Sequence, residues 1–254
     1  MNYGYNVAAA GVLTAMFRQD VASNNLANIE TVGFKSDTAF TIPRDAARIE
    51  DRLSIPSNRM LERLGAGVLL APVRTSFTQG TLTATKNPLD VAVKGDGFLA
   101  VGKPGAPDQV RLTRDGRLSL NSGGELVLAS SGERVLSENG QAIRLSPTAR
   151  ITIDGDGLIR QDGAEAGRIQ FVDVPDRQAL RKLGGNLFQP PQGVKLSKAT
   201  GDLQQFTIEQ SSVDPVRAMM AVQSAANAVS SAVRVMSMSD EMTGRVINSL
   251  GKVS

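Results

Sequence analysis

From Val7 to Leu26 the positions Ala8, Val12, Ala15, Gln19, Ala22 and Leu26 fall at alternating intervals of four and three. That is a heptad seam with small side chains as most of its knobs, and it predicts a helix. A second seam lies near the other end of the chain: Val222, Ala225, Val229, Ala232, Met236, Ser239, Thr243, Val246 and Leu250. Asp214-Pro215 opens this second helix, aspartate as the N-cap and proline at the first helical position, where its missing N–H goes unneeded. Gly244 weakens it by about 1 kcal/mol relative to alanine. Neither helix can bury its seam alone, and small side chains allow close approach. The two termini are therefore expected to pair with each other or with other subunits; packing of both helices on the middle of the chain is the alternative.

Between the seams the period changes to two. Strands are predicted at 91–93, 97–101, 111–113, 118–120, 125–128, 151–153, 158–160, 168–174 and 206–208. Gly95-Asp96-Gly97, Arg114-Asp115-Gly116, Ser122-Gly123-Gly124 and Asp154-Gly155-Asp156-Gly157 separate them and read as the tight turns of hairpins. No amphipathic helical segment intervenes before Pro175–Leu183, which argues against parallel βαβ wiring. Residues 36–75 are mixed: 44–52 alternates in charge as a solvated helix or loop does, and 53–70, with Pro56, Gly65 and Gly67, reads as an irregular connector. The expected fold is α+β, a discontinuous coiled-coil-like domain of the N- and C-terminal helices (1–28 with 214–254), an extended connector (29–75) and a central antiparallel β-rich domain (76–213).

Composition narrows the chemistry. The 254 residues contain no cysteine and no histidine, which removes disulfides, thiolate nucleophiles, zinc–thiolate sites, Ser-His-Asp triads and imidazole ligands. A net charge of +3 without a basic cluster gives no footprint for nucleic acid. No apolar stretch is long enough to span a membrane, and the amino end lacks the basic region and apolar core of a cleaved signal peptide. On composition alone a cytoplasmic protein would be expected.

Candidate chemical motifs have plainer readings. Asp154-Gly155-Asp156-Gly157 looks like part of a calcium loop, but it lies between β-branched runs and lacks the closing glutamate of an EF-hand. A carboxylate pair for glycoside hydrolysis would need aromatic platforms, and the chain has no tryptophan and only Tyr3 and Tyr5. Gly95-Asp96-Gly97-Phe98 lacks the lysine and the following helix of a phosphate loop. No catalytic residue, cofactor site or metal site is expected. Met219, Met220, Met236, Met238 and Met242 suit an adaptable helix–helix interface.

The most informative run is Asn24-Asn25-Leu26-Ala27-Asn28-Ile29-Glu30-Thr31-Val32-Gly33-Phe34-Lys35. Asparagine and glycine directly after a helix tolerate positive φ and can satisfy its last carbonyls, so the run stops a helix and starts an extended segment. As a string it resembles the amino-terminal signature of the flagellar rod and hook protein family. Further likeness lies in Gly80-Thr81-Leu82 with Asn87 to Leu99, in Leu112-Thr113-Arg114-Asp115-Gly116 with Leu120-Asn121 and Gly124 to Val127, and in Thr207 to Asp214. Ser212 stands where the family usually has asparagine, and 224–231 lacks the aromatic and arginine residues common there.

The resemblance implies a structural subunit of the flagellar basal-body rod, in the periplasm, exported by the flagellum's own type III apparatus without a cleaved signal. The implied fold is an inner tube of paired terminal helices and a β-rich outer domain. The implied partners are further copies of itself and the other proximal and distal rod subunits, with no membrane insertion. The stretch 135–188 is most similar to the proximal-rod type, with the distal-rod type as the close alternative and a soluble binding module of the same fold as a more remote one. The residues expected at subunit contacts are Ala8, Val12, Ala15, Ala22, Asn25, Leu26, Asn28, Gly33, Phe34, Val222, Ala225, Val229, Ala232, Met236, Val246 and Leu250.

Overall fold

The computed structural model describes residues 3–45, 67–103, 105, 106 and 109–250, with helix side chains from 7 to 245. The charged stretch expected at 44–52 and the connector at 53–70 lie mostly outside the described residues, as do the side chains of Val246 and Leu250. The described chain divides into two compact units. The first takes the two terminal helices and the part between 37 and 74, the second takes 28–36 and 75–213.

In the first unit, α1 (Tyr3–Ala27) and α2 (Pro215–Leu250) pack along each other. The predicted seams are the shielded faces of both helices up to Ser239; Thr243, expected to continue the seam of α2, is exposed. On α1, Ala15 and Ala22 are buried and Ala8, Val12, Gln19 and Leu26 half-buried, while Leu13 and Met16 stand exposed. On α2, Val222, Ala225, Val229, Ala232, Met236 and Ser239 are half-buried among exposed neighbours. Asp214 caps α2 as its sequence suggests, its Oδ1 accepting from the N–H groups of Val216 at 2.9 Å and Arg217 at 3.1 Å. Within 37–74, Thr41–Pro43 pairs antiparallel with Val68–Leu70.

In the second unit every described pairing is antiparallel. The largest sheet has nine strands, and Phe98–Gly102 lies at its centre, flanked by Arg111–Thr113, Arg134–Val135 and Phe171–Asp173. This strand is a continuous apolar run because both of its faces are buried. Leu99 and Val101 join the main core with Val91, Leu126, Leu128 and Ile159. Phe98 and Ala100 face a second cluster with Leu112, Leu180 and Phe188.

Two of the four turn signals close hairpins. Ser122–Gly124 joins 118–120 to 126–128, and Asp154–Gly157 joins 151–153 to 158–161. In the latter, the carboxylates that suggested a calcium loop bond Arg160 and Arg168 and the N–H of Leu158.

The other two are corners between different strand pairs. Val91–Lys94 pairs with Asp202–Gln205 and not with the strand that follows Gly97; Arg111–Thr113 pairs with 98–102 and 187–189 and not with the strand that follows Gly116. The segment Pro175–Leu183 is likewise no helix. Asp176 caps a single 3₁₀ turn at Arg177–Ala179, then Leu180 extends and buries its side chain beside Phe188, and Arg181–Gly184 forms a strand. Burying Leu180 and forming a hairpin with 187–189 outweigh the helical spacing of so short a segment.

Candidate assembly surface and a buried charge cluster

The asparagine-rich run begins in the last turn of α1 and continues beyond it. Asn25 clasps the chain just beyond it, its side chain accepting from the Asp37 N–H at 2.9 Å and donating to the Asp37 carbonyl at 2.7 Å. Asn28 makes a turn, its Oδ1 accepting from the Thr31 hydroxyl at 3.1 Å and its carbonyl from the Thr31 N–H at 3.3 Å.

In the second unit the amino-terminal leg, residues 28–36, then runs beside the carboxy-terminal leg, residues 207–213. The Gly33 N–H donates to the Glu209 carbonyl at 2.7 Å, the Ser212 N–H to the Phe34 carbonyl at 3.0 Å, and the Ser36 N–H to the Ser212 hydroxyl at 3.1 Å. Gly33 sits at φ 71°, and a Cβ there would lie 2.5 Å from the carbonyl carbon of Arg114. Only glycine permits both that backbone and that approach.

Beneath the legs lies an ion cluster. Lys35 Nζ is 2.6 Å from Glu209 Oε1 and donates also to the Thr78 carbonyl at 2.8 Å. The same Oε1 accepts from the Gly80 N–H at 2.8 Å. Arg114 donates to Glu209 Oε2 at 3.3 Å and to the Gly95 carbonyl at 2.9 Å, with its guanidinium 5.1 Å over the Phe98 ring. Lys35 and Glu209 are fully buried, and Arg114 is 1% exposed.

Burial pushes both cations below their ordinary pKa, and the Glu209 carboxylate pulls each back up. Next to them Arg177 bridges Asp96 and Asp173, bonds that hold its guanidinium above the ordinary arginine value and Asp96 below the ordinary carboxylate value. Lys182 covers the amino-terminal leg, its Nζ 4.0 Å over the Phe34 ring and donating to the Lys35 carbonyl at 2.7 Å. Asn186, left-handed at φ 58°, donates to the Val32 carbonyl at 2.7 Å.

This is a chemistry of anchoring. The carboxylate has its oxygens satisfied by two cations and an N–H and lies away from solvent, so it offers no base to a substrate. Among the described residues no cluster of acidic side chains is placed to hold a metal ion.

The structure places the expected contact residues in three settings. Ala8, Val12, Ala15, Ala22 and Leu26 of α1, with Val222, Ala225, Val229, Ala232 and Met236 of α2, line the shielded seams. Asn25 and Asn28 shape the helix exit. Gly33 and Phe34 are buried inside the second unit. The chain also leaves two exposed apolar patches on α2, Val216, Met219 and Met220 near its start and Val235, Met238 and Met242 towards its end, all more than half exposed, with the polar Gln223, Ser224, Asn227, Ser231 and Arg234 between them. The ion cluster escaped the sequence reading. Its one signal was period: Glu209 alternates with Thr207 on the inward side of a strand, so its charge had to face inward.

Family models match two stretches. Residues 6–35 match the flagella basal body rod protein model, and residues 92–161 the flagellar hook protein FlgE/F/G D1 domain. The chain is 31% identical to the flagellar basal-body rod protein FlgG of Caulobacter vibrioides, over 92% of this chain and 94% of that one. It is 28% identical to FlgF of the same organism over the whole of both chains, and 28% identical to FlgF of Mesorhizobium japonicum over 98% of each. One matched stretch holds most of α1 with Gly33 and Lys35, and the other holds the central strand with Arg114. The chain belongs to the flagellar basal-body rod protein family, FlgF and FlgG among them, and is a structural subunit of the rod.

Proposed function

We propose that this rod subunit is of the proximal type and joins its neighbours through the terminal helices, so that stacked helix pairs carry torque from motor to hook. It reaches the periplasmic rod through the flagellum's own type III export apparatus. The observation that carries the assembly reading is the two-faced character of α2. One seam is half-shielded where α1 and α2 pack together, while two methionine-rich patches away from it stand open, with Met220 66% exposed. Methionine adapts to irregular surfaces, and apolar patches of this kind on a structural subunit suit helices of neighbouring subunits. The seam residues carry the inner contacts, with Gly33 and Phe34 holding the amino-terminal leg from which α1 departs. The end-to-end match with FlgF supports the proximal type; the higher identity with FlgG supports the distal alternative.

Two substitutions test the assembly reading. Ala22→Glu puts a charge into the shielded face of α1 and is expected to abolish rod incorporation and swimming. Met220→Glu changes an exposed position, so the isolated chain should keep its stability to within about 0.5 kcal/mol while incorporation into basal bodies falls. Normal swimming and incorporation of Ala22→Glu would overturn the seam assignment, and the same result for Met220→Glu would overturn the role of the open patch around it.

A further inference from the structure

We propose that the Lys35–Glu209–Arg114 cluster is a conformational latch that makes the seating of the amino-terminal and carboxy-terminal legs on the β-rich unit one cooperative event. The two legs lie 174 residues apart in sequence at the Lys35–Glu209 pair. Each supplies one member of a fully buried pair, and the body of the sheet supplies Arg114.

Half-seated states are disfavoured on electrostatic grounds. With the amino-terminal leg seated alone, Lys35 and Arg114 would be buried as two cations with no anion between them. With the carboxy-terminal leg seated alone, Glu209 would keep Arg114 and the Gly80 N–H, but its Oε1 would lose the ammonium 2.6 Å away. A buried ion that loses its partner costs far more than the intact pair contributes, so the intermediate arrangements are sparsely populated. The backbone repeats the arrangement, since the Gly33 N–H needs the Glu209 carbonyl and the Ser212 N–H needs the Phe34 carbonyl. The cluster lies on the two segments that continue into α1 and α2.

The test is amide hydrogen exchange on the full chain, following for each leg an amide bonded between that leg and the body: Ser76, which donates to the Ser36 carbonyl, for the amino-terminal leg, and Gln210, which donates to the Thr81 carbonyl, for the carboxy-terminal leg. Leu126 and Leu145, bonded to Ile143 and Gly124 inside the sheet, are the reference amides. Lys35→Gln alters only the first leg and Glu209→Gln only the second. Each is expected to speed exchange on both legs by about ten-fold or more while the reference amides hold their rates, the signature of one local opening unit. Faster exchange confined to the altered leg would overturn the latch, as would an equal rise that includes Leu126 and Leu145. Should either single variant fail to fold, the milder Lys35→Arg and Glu209→Asp variants decide on the same amides. Faster exchange on both legs supports the latch, and faster exchange confined to the altered leg contradicts it.

Discussion

Replacing Glu209 with alanine is expected to destabilise the protein by about 3–5 kcal/mol, because it strands two buried cations. Among the described residues that carboxylate is the one anionic bonding partner of Lys35 and Arg114, and the Gly80 N–H loses its acceptor as well. Urea unfolding followed by circular dichroism measures the loss as a lower midpoint at unchanged slope. A Lys35→Met/Arg114→Met/Glu209→Leu variant should recover most of it, since apolar side chains of similar size remove the charges along with their pairing. A Glu209→Ala protein as stable as the parent would mean that the cluster is solvated, contrary to its geometry.

The second large effect is expected at Phe98. Its ring lies 5.6 Å from that of Phe77 and 5.9 Å from that of Phe188, with the Arg114 guanidinium 5.1 Å away on its face. Phe98→Ala removes one ring of a mutually packed trio, Phe77 and Phe188 lying 5.4 Å apart, from a fully buried position, and about 3–5 kcal/mol should be lost. Phe98→Leu, which keeps much of the volume, should cost clearly less. Thermal unfolding of the two variants distinguishes a cavity from mere loss of an aromatic contact. Equal losses for both would point to the ring–guanidinium contact as the dominant interaction, and a loss below about 1 kcal/mol in Phe98→Ala would contradict the packing described.

What could be read from the sequence was whatever local periodicity determines. The seam from Val222 to Ser239 coincides with the shielded face of α2, because a heptad spacing fixes which side chains share a side of a helix. The strands 111–113, 118–120 and 151–153 form at their expected bounds, since period-two runs between glycine-rich turns have few alternatives. Long-range pairing could not be read in this way. Gly95–Gly97 and Arg114–Gly116 have the composition of exposed hairpin turns, yet Arg114, Asp115 and Gly116 are buried. Their glycines serve close approach: a Cβ on Gly116 would lie 1.6 Å from the Val91 carbonyl oxygen. Charged residues in such motifs read as solvent-facing until a partner from the far end of the chain is placed beside them. Lys35 and Glu209 are that case. The family signatures at 24–35, 112–116 and 207–214 are distant strings in the sequence, and in the fold three of their residues make one ion cluster.

The most direct test of the central claim is quantitative mass spectrometry of hook–basal bodies purified in detergent from the source bacterium. This chain is expected as a constituent of intact basal bodies, in low copy number relative to the hook subunit if it is of the proximal type and several-fold higher if distal. Its absence from intact basal bodies of cells that express it would contradict the assignment as a rod subunit.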